Sequence, residues 1–267
     1  MSDNRLDVEL FERGLCRSRE RARQLIKNGF VTVDGRTCAK PAFTVTDENV
    51  LEVTGEDHSY VGRGGLKLEK AVSAFEIDLK GRVCLDIGAS TGGFTEVMLS
   101  GGAAEVYALD VGHGQLAPEL ASDERVVNME NTNIRETVVN DFKKQPDFIA
   151  TDVSFISLKL VLPKIKEILS ENGEAVVLIK PQFEAGKSNL NKKGVVKDPK
   201  VHRQVISDLT KFASVCGFCV SGICVSPIKG GTGNAEYLMY LKHTGGNCVP
   251  VSFSADELVR EALGKEK

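Results

Sequence analysis

The feature that most constrains the fold is the stretch of residues 83–94, in which an apolar run carrying an acid leads into a glycine-rich turn. The run at 83–87 has the character of a buried strand, and Phe94, Val97 and Met98 begin a helical pattern after the turn. Glycine lets the backbone approach a ligand closely, and a helix N-terminus offers N–H groups without intrahelical partners. This order of strand, turn and helix predicts a nucleotide-type site in an α/β sheet.

The turn lacks the features of a phosphate site. A phosphate loop carries Lys-Ser or Lys-Thr after its glycines, and the dinucleotide fingerprint needs a glycine where this chain has Ser90. Asp110 ends the next apolar run, about 20 residues on, where an acid binds ribose hydroxyls. Asp86 can pair with a cationic amino group. Together these residues predict S-adenosylmethionine as the cofactor, and the alternative is a glycine-rich turn of an α/β protein that binds no nucleotide.

The N-terminal segment differs from the rest of the chain in charge. The chain has a formal net charge of −3, yet residues 13–40 hold eight Arg or Lys against two acids. A helical pattern at 19–28 places Arg19, Arg23 and Lys27 on one stripe, because residues four apart share a helix face. This one-sided patch favours binding to the phosphates of a structured RNA, and a merely solvated helix face is the alternative.

The same segment resembles the S-four-type RNA-binding domain. The resemblance is carried by Arg5-Leu6-Asp7, Ser18-Arg19-Glu20-Arg21-Ala22, Ile26, Gly29 and Val31-x-Val33-Asp34-Gly35. It implies a small α+β domain that binds RNA. The basic residues predicted to contact RNA, including three from a lysine-rich stretch further along the chain, are Arg5, Arg17, Arg19, Arg23, Lys27, Lys40, Lys187, Lys192 and Lys193.

From residue 82 onward, apolar runs alternate with helical patterns, which predicts an α/β fold with a doubly wound, mostly parallel sheet. The predicted strands are 82–87, 104–109, 125–129, 147–153, 174–180, 217–226 and 236–241. The predicted helices are 66–75, 92–100, 113–121, 134–144, 157–170 and 199–215. The lysine-rich stretch at 187–197 lacks a periodic pattern and follows a strand end, so it is predicted to be a mobile RNA-contacting lid; an idle surface loop is equally compatible with its charge.

Ionisable residues recur where the predicted strands end. Asp152, Lys180 and Glu236 each abut an apolar run, and Lys67 lies in the helical pattern before the first of these strands. One such residue would be assigned to a structural ion pair, whereas three at one sheet edge indicate a reaction site. The sequence Asp152-Val153-Ser154-Phe155 lacks the paired prolines of enzymes that methylate base amines, and no Pro-Cys nucleophile stands there. A lysine whose pKa is lowered by burial and a second lysine could instead accept the proton of a ribose hydroxyl. The neighbouring carboxylates act to raise the pKa of the lysines, so the sequence leaves their charge states open.

Residues 60–242 resemble the FtsJ-type ribose 2′-O-methyltransferases, and the whole chain resembles the TlyA family, which couples an S-four-type domain to that fold. The motifs that carry the likeness are Tyr60-Val61-x-Arg63-Gly64-Gly65-x-Lys67-Leu68, residues 86–95, residues 110–116, residues 151–157, residues 178–184 and Gly230-Gly231-x-Gly233-Asn234-x-Glu236-Tyr237. The likeness implies a Rossmann-like class I methyltransferase that uses S-adenosylmethionine to methylate a cytidine 2′-hydroxyl in ribosomal RNA.

The resemblance also implies site residues. The catalytic set is Lys67, Asp152, Lys180 and Glu236. The predicted cofactor contacts are Asp86, Gly88, Ser90, Thr91, Gly92, Gly93, Phe94, Asp110, Val111, Gln115, Asn133 and Asp152, and no metal site is predicted. The predicted partner is ribosomal RNA or a ribosomal subunit.

The predicted organisation is an RNA-binding domain at 1–55, a linker at 56–65, a methyltransferase domain at 66–245 and a C-terminal tail at 246–267. The sequence shows no membrane span and no secretion signal, so a cytoplasmic location is expected. The seven cysteines are expected to be reduced. Two alternative functions are an RNA-binding module without catalysis and a haemolysin, a label that members of this family also carry. The intact set of lysines and carboxylates argues against the first, and the absence of a span argues against the second.

Overall fold

The predicted strands form three sheets in the part of the chain that the computed structural model describes, which is residues 4–16, 18–27, 29–54, 60–244 and 251–264. The chain divides into an N-terminal unit, Met1–Ser59, and a C-terminal unit, Tyr60–Lys267. The finer boundaries set from the sequence stay predictions. Of the predicted linker, residues 56–59 lie outside the described residues, and Tyr60 and Val61 are buried in the core of the C-terminal unit.

The N-terminal unit packs two short helices against two small sheets. Its elements are β1 (Asn4–Arg5), α1 (Leu6–Glu12), α2 (Arg19–Lys27), β2 (Val31–Val33), β3 (Arg36–Thr37), β4 (Thr44–Val45) and β5 (Leu51–Val53). Strand β1 pairs with β4, and β2 lies between β3 and β5. Asp34 and Gly35 form the hairpin turn between β2 and β3, and both lie in the left-handed region that such turns require. Leu6, Leu10 and Ile26 are fully buried at the centre of this unit.

The C-terminal unit alternates strands and helices as the sequence predicts. Its strands are β6 (Val83–Ile87), β7 (Glu105–Leu109), β8 (Val126–Met129), β9 (Phe148–Thr151), β10 (Glu174–Ile179), β11 (Cys219–Val225) and β12 (Tyr237–Lys242). Its helices are α3 (Gly65–Ala74), α4 (Gly93–Ser100), α5 (Pro118–Ala121), α6 (Leu158–Ile168), α7 (Pro181–Glu184), α8 (Pro199–Val215) and α9 (Ala255–Leu263).

These seven strands form one sheet in the order β11-β12-β10-β9-β6-β7-β8. The strands from β10 to β8 are parallel, and β12 runs antiparallel to both of its neighbours. Successive strand residues face opposite layers, so Cys84 packs in the layer of α3 and α4, whereas Leu85 packs in the layer of α6, α8 and α9. The sheet is therefore covered on both faces, which confirms the predicted doubly wound fold.

Two predicted helices are mostly wrong, and each fails for a local reason. The pattern at 113–121 gives a helix only over α5, because the Glu130 carboxylate accepts the N–H groups of Gly114, Gln115 and Leu116 and holds them as a loop. The pattern at 134–144 gives only a short 3-10 turn, Val139–Asp141. Within the predicted tail, α9 packs Leu258, Val259 and Ala262 into the core beside α8.

The cysteines meet the expectation of reduced thiols with one exception. Cys219 is disulfide-bonded, whereas five other cysteines form no disulfide: Cys16, Cys38, Cys84, Cys216 and Cys224. Because Cys216 is free, the bond does not use the C-x-x-C spacing of these two residues. The expectation is therefore wrong at Cys219.

Candidate active site

The four predicted catalytic residues lie together at one edge of the large sheet. The Lys67 ammonium lies 3.0 Å from Asp152 Oδ2 and 2.8 Å from Glu236 Oε2. The Lys180 ammonium lies 2.5 Å from Asp152 Oδ1. Asp152 thus bridges the two lysines, and Lys67 bridges the two carboxylates.

The fold explains why residues so far apart in sequence meet. Asp152 follows β9 and Lys180 follows β10, and parallel neighbours end at the same edge of a sheet. Glu236 directly precedes β12, whose first residue pairs with the last residue of antiparallel β10. Lys67 lies in the first turn of α3, which packs on this part of the sheet.

The environment of Lys67 keeps it positively charged. Burial acts to lower its pKa, but the charges and hydrogen bonds of Asp152 and Glu236 outweigh this effect and raise it. For Asp152, burial acts to raise the pKa, and Lys67 and Lys180 together hold it below its usual value. Both groups are therefore ionised at neutral pH, and Lys67 is not a proton acceptor.

Lys180 has different neighbours. Its ammonium donates a hydrogen bond to the Ser154 hydroxyl at 2.9 Å, in addition to its contact with Asp152, and lies over the ring of Phe183. Ser154 is exposed, whereas Glu236, the second partner of Lys67, is buried. Both lysines are buried, but Lys180 is bonded to an exposed hydroxyl, whereas both partners of Lys67 are carboxylates.

A cavity of about 260 Å³ opens beside the lysines. Of the predicted cofactor contacts, the residues that line it are Asp86, Gly88, Ser90, Thr91, Gly93, Phe94 and Asp152. Lys67 also reaches the cavity wall, so a molecule bound there would contact the reaction site.

Asp86 supplies the feature that best fits an amino-acid tail. It is fully buried, and its Oδ2 accepts hydrogen bonds from the Thr95 backbone and hydroxyl. Among the described residues, no group hydrogen-bonds the buried Oδ1 atom. Burial raises the pKa of Asp86 to about 7, opposed by the Thr95 hydrogen bonds. A cationic amino group would satisfy both the free oxygen and the charge, so the residues present fit S-adenosylmethionine.

Five predicted cofactor residues do not line this cavity. Asp110 accepts a hydrogen bond from the Ser90 backbone at 2.8 Å, and the Gln115 side chain contacts the Ser90 hydroxyl at 3.2 Å, so both border it. Val111 is 72% exposed. Gly92 faces Leu116 and Leu120 instead.

The last of these five, Asn133, is engaged within its own turn. Its side chain hydrogen-bonds the backbone of Arg135 and the carboxylate of Glu136. The cofactor roles of these five residues, like those of the seven that line the cavity, stay predictions.

Two segments line the cavity that the sequence analysis did not assign to it: residues 62–64 and 228–231. A Cβ on Gly62 would lie 2.5 Å from the Thr91 hydroxyl, and one on Gly93 would lie 2.8 Å from the Gly65 nitrogen. Residues 62–65 therefore pack closely against the glycine-rich turn at residues 91–93. The glycine content of residues 62–64 and 228–231 is a sequence feature that could have pointed to the cavity. The polar, glycine-rich character of residues 62–64 instead predicts a linker.

Phe155 is a further residue near the site, and the sequence pattern predicts no role for it. Its side chain is 92% exposed, and its backbone has a φ of 63°, which is unfavourable for a residue with a Cβ. Its ring lies 5.1 Å from the ring of Phe183. The next turn is fixed by the Glu184 carboxylate, which accepts hydrogen bonds from the Ser157 hydroxyl and the Leu158 backbone. The chain thus presents an aromatic face to solvent beside Lys180.

The predicted RNA-binding residues of the N-terminal unit fall into two groups. Arg5, Arg19 and Arg23 surround the fully buried carboxylate of Asp7, at 2.8, 3.8 and 2.8 Å. Lys27 is exposed, as is Lys40, and Arg17 lies outside the described residues. In the C-terminal unit, Lys187, Lys192 and Lys193 are exposed.

Comparison with known proteins gives two family matches. Residues 60–243 match the model of the FtsJ-like methyltransferases, and residues 4–51 match that of the S4 domain. A Bacillus subtilis protein named "Putative rRNA methyltransferase YqxC" is 44% identical over 96% of this chain and 92% of its own length. The "16S/23S rRNA (cytidine-2'-O)-methyltransferase TlyA" of Mycobacterium tuberculosis is 45% identical over 89% of each chain.

A solved structure agrees with these matches. It is described as "Putative hemolysin from Streptococcus thermophilus", is 43% identical, covers 98% of this chain and 96% of its own, and has a TM-score of 0.78. Within the described residues of the present chain, no helix has the length and apolar character needed to cross a membrane.

Proposed function

The chain belongs to the FtsJ-like methyltransferases that carry an N-terminal S4 domain, and from this membership we propose that it transfers a methyl group from S-adenosylmethionine to a ribose 2′-hydroxyl of ribosomal RNA. The observation that carries the proposal is the position of Lys180, paired with Asp152 and hydrogen-bonded to the exposed Ser154 hydroxyl, whose place a ribose hydroxyl could take. The name of the Mycobacterium tuberculosis relative specifies cytidine, and we propose the same target nucleotide for this chain. A ribosomal substrate also fits the cytoplasmic location expected from the sequence.

The four predicted catalytic residues have different roles in the proposed reaction. Lys180 reacts as a neutral amine, after its ammonium group has given one proton to water. Its nitrogen then accepts the proton of the attacking ribose hydroxyl as the oxygen–carbon bond forms, and Asp152 orients the Lys180 side chain. Lys67 stays protonated between Asp152 and Glu236, and it fixes both carboxylates in place. S-adenosylmethionine supplies the electrophilic methyl group on a sulfonium, which leaves as a thioether. The proton passes from Lys180 to water at the exposed rim.

Asp86 and the glycine-rich turn hold the cofactor in this proposal. The Asp86 Oδ1 atom would accept a hydrogen bond from the amino group of the methionine moiety, and Asp110, which accepts a hydrogen bond from the Ser90 backbone, would bind the ribose hydroxyls. In-line transfer to a hydroxyl needs mainly orientation, so a rigid sheet edge that carries both the cofactor residues and Lys180 accounts for most of the expected rate.

The RNA contacts follow from exposure and charge. Phe155 offers an aromatic face on which a nucleobase drawn out of its stack can lie beside Lys180. The basic residues of the N-terminal unit and the lysines at 187–193 bind phosphates and position the RNA without reading its sequence.

The proposal is tested by the substitution Lys180→Ala. Removing a positioned acid/base group costs about 100- to 10,000-fold in rate. Affinity for S-adenosylmethionine should stay within a few-fold, because Lys180 does not line the cavity. Single-turnover transfer of labelled methyl from the cofactor to ribosomal RNA measures the rate, and calorimetric titration measures cofactor affinity.

The matched control is Lys80→Ala, which removes an exposed lysine just before β6, at the other end of that strand from the site. This variant should turn over as the wild type does. Turnover of Lys180→Ala within tenfold of the wild type would make Lys180 an ion-pair partner only and would require another base.

A further inference from the structure

The lysine-rich segment, residues 185–197, joins two parts of the reaction site. It begins just after α7, which follows Lys180, and its last turn lies against the loop that leads into Glu236. Lys192 and Lys193 are exposed at its tip. The sequence of residues 187–197 predicts a mobile lid, yet the segment has specific anchors in the core.

Asn234 is the first anchor. It is fully buried, and its side-chain amide holds the backbone of the segment at two points. Oδ1 accepts a hydrogen bond from the Val196 N–H at 3.0 Å, and Nδ2 donates one to the Gly194 carbonyl at 3.0 Å. Nδ2 also donates to the Thr232 hydroxyl at 2.9 Å. An amide supplies both the acceptor and the donor that this pair of backbone groups needs.

His202 is the second anchor. Its ring is fully buried, with Nε2 3.0 Å from the Val196 carbonyl and Nδ1 2.8 Å from the Tyr237 hydroxyl. Burial lowers the pKa of His202, so the ring is neutral. In this state Nε2–H donates to the carbonyl while Nδ1 accepts from the hydroxyl. Both polar groups of Val196 are therefore bonded to core side chains.

Hydrogen bonds within the tip of the segment hold it as a turn. The Asn191 side-chain oxygen accepts hydrogen bonds from the N–H groups of Lys193 and Val195, and the Gly194 N–H donates to the Asn191 carbonyl. Lys192 and Lys193 thus project from a turn whose far side is held by Asn234. Because the turn is anchored to buried side chains, binding of a ligand does not incur the loss of conformational entropy that ordering a flexible loop would require.

Asn234 and Tyr237, the hydrogen-bond partner of the second anchor, flank the proposed catalytic residue Glu236. Asn234 stands two positions before Glu236, and Tyr237 directly follows it. We propose that Asn234 is a positioning residue that holds Lys192 and Lys193 at a fixed distance from the reaction site, so that they bind the RNA backbone next to the target nucleotide. The inference rests on the proposed function. In it the segment is a rigid phosphate clamp rather than a mobile lid.

Proteolysis tests the anchoring without RNA. Trypsin cleaves after lysine, and cleavage of a folded chain follows the population of the locally opened form. Asn234→Ala leaves the Val196 N–H and the Gly194 carbonyl unpaired, so cleavage after Lys192 and Lys193 should speed up by about tenfold or more. Asn234→Asp keeps an acceptor but loses the donor and should show an intermediate increase; it carries the test if the alanine variant does not fold.

The matched control is Tyr240→Phe, which removes another hydrogen bond from β12, that to Glu174, away from the segment. It should leave the cleavage rate after Lys192 and Lys193 as in the wild type. Equal rates in the Asn234 variants and the wild type would overturn the anchoring, whatever the fate of the proposed function.

RNA-binding measurements test whether the anchoring positions Lys192 and Lys193 for contact with RNA. Asn234→Ala should raise KM for RNA with turnover at saturating RNA within a few-fold, and should reduce the log–log salt slope of RNA affinity by about one to two units. Lys192→Ala with Lys193→Ala should do the same, and adding Asn234→Ala to that pair should change the slope no further, because the two changes act through one contact. Additive effects would overturn the inference; a wild type that transfers no methyl to RNA would overturn the proposed function itself.

Discussion

Asp86 is the residue whose state decides cofactor binding in this account. Its carboxylate is fully buried, half of it is hydrogen-bonded to Thr95, and the other oxygen is unpaired among the described residues. A buried carboxylate without a cationic partner is costly, which is why burial raises its pKa to about 7. A bound ammonium group stabilises the ionised form. Cofactor binding and deprotonation of Asp86 are therefore linked.

This linkage predicts a pH dependence for cofactor affinity. Above pH 7 the carboxylate is ionised and pairs with the amino group; below pH 7 it is protonated and the attraction is lost. Affinity for S-adenosylmethionine should therefore fall by about tenfold for each pH unit below 7. Calorimetric titration between pH 5.5 and 7.5 measures it. Asp86→Asn should bind weakly with no such dependence, and a flat profile in the wild type would mean that Asp86 does not meet the amino group.

Phe155 leads to a prediction about turnover rather than folding. Its ring is 92% exposed, so Phe155→Ala should change the free energy of unfolding by no more than about 0.5 kcal/mol. Stacking of a base on an aromatic ring contributes about 1–3 kcal/mol, so kcat/KM for RNA should fall by about 5- to 150-fold. Phe155→Tyr keeps an aromatic face and should retain activity, whereas Phe155→Leu should not. Equal activity in the leucine variant would show that the ring does not stack on the substrate.

At the scale of elements, helix α2 has two roles that its sequence alone did not separate. Arg19 and Arg23 lie on the predicted stripe, but both guanidinium groups also contact Asp7 of α1. Burial acts to raise the pKa of Asp7, and hydrogen bonds from Arg5 and Arg23 hold it below its usual value. The two arginines thus hold α1 and α2 together as well as facing solvent.

This double role predicts different outcomes for two pairs of substitutions. Arg19→Ala with Arg23→Ala should lower the salt slope of RNA affinity by up to about two units, and should also destabilise the N-terminal unit, because a buried carboxylate loses partners. Lys27→Ala with Lys40→Ala should lower the slope similarly with little change in stability, since both are exposed. Salt-dependent RNA titration and thermal unfolding measure the two effects. If neither double variant changed the salt slope of RNA affinity, this basic surface would be a solvated face that does not contact RNA.

The strands were predictable, because each is an apolar run bounded by turn residues and the sheet buries both faces. The predicted helices at 113–121 and 134–144 failed where a carboxylate competes for backbone N–H groups. Glu130 holds residues 114–116, and the Asp141 side chain accepts from the Val138 N–H. Such contacts depend on which side chain lies nearby in space, and a helical pattern does not reveal them.

The candidate site was predictable in part for a similar reason. Asp152, Lys180 and Glu236 stand at strand ends, and the topology of a parallel sheet brings strand ends together. No comparable topological rule predicts that residues 62–64 and 228–231 line the cavity, because both segments are loops. The anchoring by Asn234 was also beyond the sequence, since it joins residues 38 and 40 positions apart.

At the scale of the whole molecule, the two units supply different parts of one activity. The N-terminal unit concentrates basic residues and matches the S4 domain, and the C-terminal unit carries the cofactor cavity and the paired lysines. RNA affinity and methyl transfer should therefore be separable by substitution. Variants of the basic surface should lose affinity, whereas Lys180→Ala should bind both partners and transfer no methyl group.

The most direct test is to map ribose methylation across ribosomal RNA from cells that express the wild-type protein, lack it, or express Lys180→Ala. The account predicts at least one cytidine 2′-O-methyl group that is present with the wild type, absent without the protein and absent with Lys180→Ala, although that variant is folded and binds RNA. Lys80→Ala should restore the modification. An identical methylation map in all four strains would contradict the assignment of this chain as a ribose methyltransferase of ribosomal RNA.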